Sequence, residues 1–181
     1  MDPTNPLIML AATDGGVYRT TDGWETQSLT TLGLSYNIND IKFKPNDHMT
    51  LYASGRNSLN TDIFWKSTNN GVTWTAITSG LPNSTQTSRV IMGVSVANSN
   101  YVYLLAGNTT GGYNGLYLSV NGGTSFTTRS NTPNILSSDF PPIGSGGQAS
   151  HDFANAISPT DINLVTVGGI SEFRSTDGGV N

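Results

Sequence analysis

The sequence predicts an all-β chain forming about three and a half blades of a β-propeller, each complete blade being four short antiparallel strands. Three observations carry that reading. Charged residues make up only 11% of the 181 residues, against about 25% in an average globular protein. Glutamate occurs only at Glu25 and Glu172, which leaves little material for salt-bridged helices, so no long helix is expected. A hairpin phrase recurs four times, and strand-like runs stand in phase with it.

The phrase reads "TTDGWETQ" from Thr20, "STNNGVTW" from Ser67, "SVNGGTSF" from Ser119 and "STDGGVN" from Ser175. Each residue type in it suits a tight hairpin. Asp or Asn accepts hydrogen bonds from turn amides, Gly supplies positive φ, Ser or Thr satisfies further backbone groups, and the aromatic packs on the sheet. Thr20 and Asp22 hold these places in the first copy, where Trp24 stands at the usual Gly and Gln27 at the aromatic position. Ser67, Asn69, Gly71 and Trp74 hold them in the second; Ser119, Asn121, Gly123 and Phe126 in the third; Ser175, Asp177 and Gly179 in the fourth. A residue repeated in every unit serves the unit, so these are assigned to maintaining the fold. Asn in two of the copies argues against a carboxylate-based metal site.

The elements follow in order. Residues 1–30 form a first blade with strands B to D, from "LIMLAAT" (7–13) and "GVYRT" (16–20) onward. Residues 31–80 form the second, with "INDIKFKPND", "TLYASG" and "IFWKS" as its first three strands. Residues 81–130 repeat this with "RVIMGVSVANSN", "YVYLLAG" and "GLYLS". Residues 131–181 supply "FANAISPTDIN", "NLVTVGG" and "SEFRS", strands A to C of a fourth. Four antiparallel strands recurring about every 40 to 50 residues describe propeller blades, which bury their two faces against neighbours around an axis. The arc is expected to belong to a longer propeller of six or more blades. Its partners would then include the remaining blades, covering open strand edges and two apolar end faces.

The net charge of −4 and pI near 4.8, without a basic cluster, exclude a nucleic-acid backbone as partner. The chain has no cysteine, hence no disulfide or thiolate metal site, and no apolar run of about 18 residues for membrane insertion. No signal peptide is visible, and no cofactor is expected.

The recurring phrase resembles the Asp-box, or BNR repeat, of sialidase and sortilin-like propellers. That resemblance implies that A–B and C–D turns share one face, leaving the variable B–C and D–A connections on the ligand face. These connections include residues 55–62, 107–115 and 130–150. Tyr36, Arg56, Tyr113, His151 and Asp152 are the candidates there, with exposed tyrosines able to stack on a sugar or contact a protein. Arg19, Lys66 and Arg174, each one residue before a box, are expected as solvated rim residues.

The stretch "GGQASHDFANAISPTDINLVTVGGISEFRSTDGGVN" is similar to a blade of large secreted Bacteroidota proteins exported by the type IX secretion system. This implies an extracellular or outer-membrane surface location, and the secretion machinery as a further partner. The leading functional expectation is a noncatalytic surface module for protein or glycan binding and adhesion. The alternative is a glycoside hydrolase. "LIMLAATDGGVYRT" resembles a segment of two-propeller xyloglucan-cleaving enzymes, which makes Asp14 one carboxylate of a catalytic pair. Inversion needs a second carboxylate about 6.5 to 9.5 Å away, and "TVGG" at the parallel position of the last blade has no acid. A sialidase is less well supported: there are arginines, but no tyrosine with a recognisable glutamate partner.

Overall fold

The computed structural model describes residues 1–33, 35–57 and 62–181. Among the described residues fourteen strands form four separate antiparallel sheets arranged as propeller blades, and helix is limited to a 3-10 turn at Ser84–Gln86. Blade 1 contains β1 (Met9–Thr13), β2 (Gly16–Thr20) and β3 (Ser28–Leu29). Blade 2 contains β4 (Tyr36–Lys44), β5 (Asp47–Asn57), β6 (Phe64–Ser67) and β7 (Thr75–Ala76). Blade 3 contains β8 (Val90–Val94), β9 (Val102–Gly107), β10 (Tyr113–Ser119) and β11 (Thr127–Ser130). Blade 4 contains β12 (Ala154–Ile157), β13 (Val165–Gly168) and β14 (Glu172–Ser175). Residues 58–61 of the 55–62 connection lie outside the described residues.

Strand alternation sends apolar side chains to both faces of the inner blades, so the core is divided among the junctions. Val17, Leu32, Ile38, Ala53 and Trp65 pack between blades 1 and 2. Tyr52, Phe64, Met92, Leu104 and Phe126 fill the second junction, and Leu105, Leu116, Val165 and Val167 belong to the third. The far face of blade 4 departs from the expected apolar end. Ala154, Ala156, Glu172 and Arg174 are exposed there, with Thr166 between them in register, so the surface is small and polar.

Each box is a closed ring of hydrogen bonds. The first hydroxyl accepts the amide of the fifth residue, from Trp24, Gly71, Gly123 and Gly179, at 3.1, 3.0, 2.9 and 2.8 Å. The third side chain accepts the amide of the seventh residue, from Thr26, Thr73, Ser125 and Asn181. These bonds hold residues four and five in consecutive left-handed conformations, with φ of 73° and 77° at Gly23 and Trp24 and 56° and 78° at Asn70 and Gly71.

The ring is then seated on its own A–B turn. The fourth amide, of Gly23, Asn70, Gly122 or Gly178, donates to the carbonyl of Leu7, Met49, Asn100 or Asn163 at 2.8 to 3.0 Å. Those turns repeat as well: Asn5, Asp47, Asn98 and Asp161 each accept the amide two residues on.

A cation ties each of the last three boxes to the preceding blade. Arg19 Nε donates to the Asn70 carbonyl at 2.9 Å and its Nη2 to Asn70 Oδ1 at 3.1 Å. Lys66 Nζ donates to the Gly122 carbonyl at 2.7 Å. Arg129 Nε and Nη2 reach the Gly178 and Asp177 carbonyls, both at 2.9 Å. Arg19 and Lys66 are therefore half-buried junction residues and not solvated rim cations, because the next blade's turn carbonyls come within reach of their heads. Arg174 is exposed, as expected.

The fifth position presses directly on the preceding blade. A Cβ on Gly71 would lie 2.3 Å from Leu10 Cδ2, and one on Gly179 would lie 2.2 Å from Leu116 Cδ2. Trp24, at the same position of the first box, is 37% exposed. Gly71→Ala is expected to cost more than about 2 kcal/mol by denaturant unfolding, combining left-handed strain with the clash. Trp24→Gly should change stability by less, since relief of left-handed strain of about 1 to 2 kcal/mol opposes the lost packing.

Hydrogen bonds from Thr20 and Thr26 lower the Asp22 carboxyl to about 2. The Asn181 amide, with Ser175, holds Asp177 well below the usual carboxylate range. Both groups are depressed, so their contribution is complete above an unfolded pKa of about 3.9 and disappears as pH falls through the folded value. The double variant Asp22→Asn/Asp177→Asn should retain its turns, as Asn69 and Asn121 do. Its thermal midpoint should fall less steeply than that of the parent between pH about 4 and 2.

Candidate functional site

On the side where the B–C and D–A connections meet, a groove of about 650 Å³ is lined by Asp14, Asn37, Asn39, Arg56, Ser88, Arg89 and Ser150, among others. Three blades contribute. The β1–β2 turn presents Asp14, the start of β4 presents Asn37 and Asn39, and the end of β5 presents Arg56. Ser88 and Arg89 precede β8, and Ser150 closes the long connection before β12.

A chain of side-chain bonds runs through the groove. Asn37 Nδ2 donates to Asp14 Oδ1 at 2.9 Å, and Asn39 Nδ2 donates to Asn37 Oδ1 at 3.0 Å. Asn39 Oδ1 in turn accepts the Val90 amide at 3.3 Å. The pairing of β4 with β5 shifts register between Ile38 and Asp40, a bulge that frees Asn39 from the ladder. Asp40 Oδ2 accepts the Met92 amide at 3.0 Å, so two adjacent side chains tie β4 to β8 of the next blade.

Arg89 Nη1 donates to the Ser150 carbonyl at 3.1 Å, which fixes the end of the long connection against blade 3. Arg56 is exposed, and its guanidinium makes no hydrogen bond or ion pair among the described residues. Ser88 Oγ is buried without a hydrogen-bond partner at the groove wall. The lining is thus amide, hydroxyl and guanidinium groups around one carboxylate, Asp14. No group of three or more His, Asp or Glu able to hold a metal ion occurs among the described residues.

The sequence candidates separate into distinct places. Asp14 and Arg56 line the groove. Tyr36 is half-buried, its ring 5.4 Å from Trp65 in an edge-to-face contact, so it belongs in part to the first junction. Tyr113 is not an exposed stacking residue: it is 6% exposed, opens β10, and its hydroxyl meets Ser130 Oγ at 2.7 Å. Burial pushes the Tyr113 hydroxyl up to about 12. His151 and Asp152 are exposed in a turn and not on a strand, with both amides donating to the Gln148 carbonyl.

Asn37, Asn39, Ser88, Arg89 and Ser150 were not among the sequence candidates. The available signal was the pair of asparagines two residues apart in "YNIND", which places two polar groups on one side of a strand.

The fold recurs in known structures. The GH74 xyloglucanase from Xanthomonas campestris superposes with a TM-score of 0.68 at 17% identity, over 99% of this chain and 28% of that one. The GH74 enzyme from Niastella koreensis gives 0.65 at 22% identity, over 99% and 27%. YCF48 from Cyanidioschyzon merolae gives 0.54 at 17% identity, over 92% and 51%. The chain spans about a quarter of each of these GH74 enzymes, and the likeness is one of fold. No protein-family model matches the chain, and no curated protein does. This chain is an arc of a β-propeller whose neighbours in fold include glycoside hydrolases.

Proposed function

We propose that this arc is a glycan-binding section of an extracellular, surface-associated propeller, and that it holds an uncharged oligosaccharide without cleaving it. The groove of about 650 Å³ carries the reading, because it offers acceptors, donors and one carboxylate across three blades. Sugars present dense hydroxyl groups that such a lining satisfies. The fold shared with a xyloglucanase makes xyloglucan oligosaccharides the first probe.

A hydrolase is the second reading, favoured by the place of Asp14 in that groove. Inversion would require a carboxylate about 6.5 to 9.5 Å from Asp14, and the described groove lining contains no other.

Calorimetric titration with xyloglucan oligosaccharides, paired with an assay for new reducing ends, tests both. Binding without hydrolysis is expected. Asn37→Ala combined with Arg56→Ala should weaken affinity by about tenfold or more, the loss of one to two net hydrogen bonds. Asp14→Asn should stay within about threefold of the parent, since an amide oxygen still accepts. Reducing ends that disappear with Asp14→Asn would establish the hydrolase instead.

A further inference from the structure

The groove lacks one kind of group that sugars use. Besides its hydroxyls a pyranose has an apolar face of C–H groups, and such a face packs on an aromatic ring. No Phe, Tyr or Trp stands among the described residues of the groove lining. Tyr36 and Tyr113, the rings expected on this side, pack into blade junctions.

One ring on this side is free. Phe140 is 79% exposed, whereas Trp24, the next most exposed of the described Phe, Tyr and Trp rings, is 37% exposed and belongs to a box on the opposite side. Phe140 lies in the connection between β11 and β12, the same connection that lends Ser150 to the groove. The ring is displayed on a built support. Ser137 is buried, and its Oγ donates to the Ile143 carbonyl at 2.9 Å while accepting the Asp139 amide at 3.1 Å, which closes residues 137–143 into a knuckle. Asn134 Nδ2 clamps the return at Gly144 and Gly146. Leu136, buried at the base, accepts the Gln148 amide, and its Cδ2 would lie 3.5 Å from a Cβ on Gly169 in the β13–β14 turn. All of these supports come from the connection itself and from blade 4, and none involves either end of the chain.

The apolar tip is small. Phe140, Pro141 and Ile143 are its exposed apolar residues, and no Lys or Arg occurs from 130 to 173. A stable protein interface takes about 20 to 30 residues a side, whereas stacking on a sugar needs one ring. Ten residues separate Phe140 from Ser150, at most about 35 Å of fully extended chain. The Gly111–Gly146 bridge folds the connection back and shortens that span.

We propose that Phe140 is a stacking platform for a further sugar of the glycan held in the groove, so that the protein takes a polysaccharide in preference to a short oligosaccharide. This rests on the glycan-binding reading of the groove and adds a second contact to it. Both contacts fall on one polymer, so the second forms at high effective concentration.

The probes are polymeric xyloglucan and a xyloglucan oligosaccharide of one repeat unit, each titrated into the parent and its variants. Phe140→Ala should weaken binding of the polymer about fivefold and change that of the oligosaccharide by less than about twofold. Phe140→Trp should keep the polymer affinity of the parent. The thermal midpoint of Phe140→Ala should stay within about 1 °C of the parent, because the ring is largely in water. Equal losses for both ligands, or no loss for either, would overturn the platform and leave the groove reading standing. A parent that binds neither ligand would overturn both. A Phe140→Ala protein that sediments as a smaller species than the parent, with polymer binding unchanged, would make the knuckle a protein contact and overturn the platform.

Discussion

The structure rests on a pair of consecutive left-handed residues pressed against the neighbouring blade. That conformation is costly for any residue with a Cβ, and it persists because three independent sets of bonds fix it. The box ring closes it from within, the A–B turn carbonyl receives its first amide, and a cation from the preceding blade takes up its carbonyls. Each neutral bond is worth about 1 kcal/mol net and each charged one about 1.5 to 3. None is decisive singly. Their coincidence at one turn makes the box both the end of a hairpin and the joint between blades.

Placing the joint there explains why the core is divided. Each apolar cluster belongs to one junction, so cohesion is passed from neighbour to neighbour along the arc, as in other repeat architectures. The opposite face is then released from structural duty. Its connections vary in length yet remain fastened: Asn134 Nδ2 donates to the Gly144 and Gly146 carbonyls, and Asn108 Nδ2 to that of Ser145. The first two brace the long connection within itself, and the third, with the Gly111–Gly146 backbone bridge, holds it against the 107–115 loop, so a groove forms beside a rigid frame.

The boxes were legible because the turn tolerates few residue types at fixed spacing, and the strands because apolar runs flank those turns. The junction cations were only half legible. Leu118 occupies the position of Arg19 and Lys66, and Arg129 reaches the next box from the neighbouring strand instead, a substitution visible only in three dimensions. Tyr113 was misread because "GNTTGGYNG" is rich in turn residues, whereas the chain re-enters the sheet at the tyrosine and buries its ring. The groove was the least legible part. The spacing of Asn37 and Asn39 hinted at it, but nothing in a single sequence marks the one-residue bulge that frees Asn39 from the ladder.

The bond chain in the groove has a direction that bears on chemistry. The Val90 amide donates to Asn39, Asn39 to Asn37, and Asn37 to Asp14 Oδ1, so the relay ends on one carboxylate oxygen. Asp14 Oδ2 makes no hydrogen bond among the described residues and faces a groove rich in polar groups. On the proposed reading this oriented acceptor takes a sugar hydroxyl, with the frame of three blades fixing its position. The same orientation would serve a catalytic base. What separates the two uses is whether a second carboxylate faces Asp14 across the bound chain, and among the described lining the opposing groups are amides, hydroxyls and guanidinium ions. On the proposed reading those groups hold a glycan in place, and the described lining carries no second carboxylate of the kind that glycosidic cleavage uses.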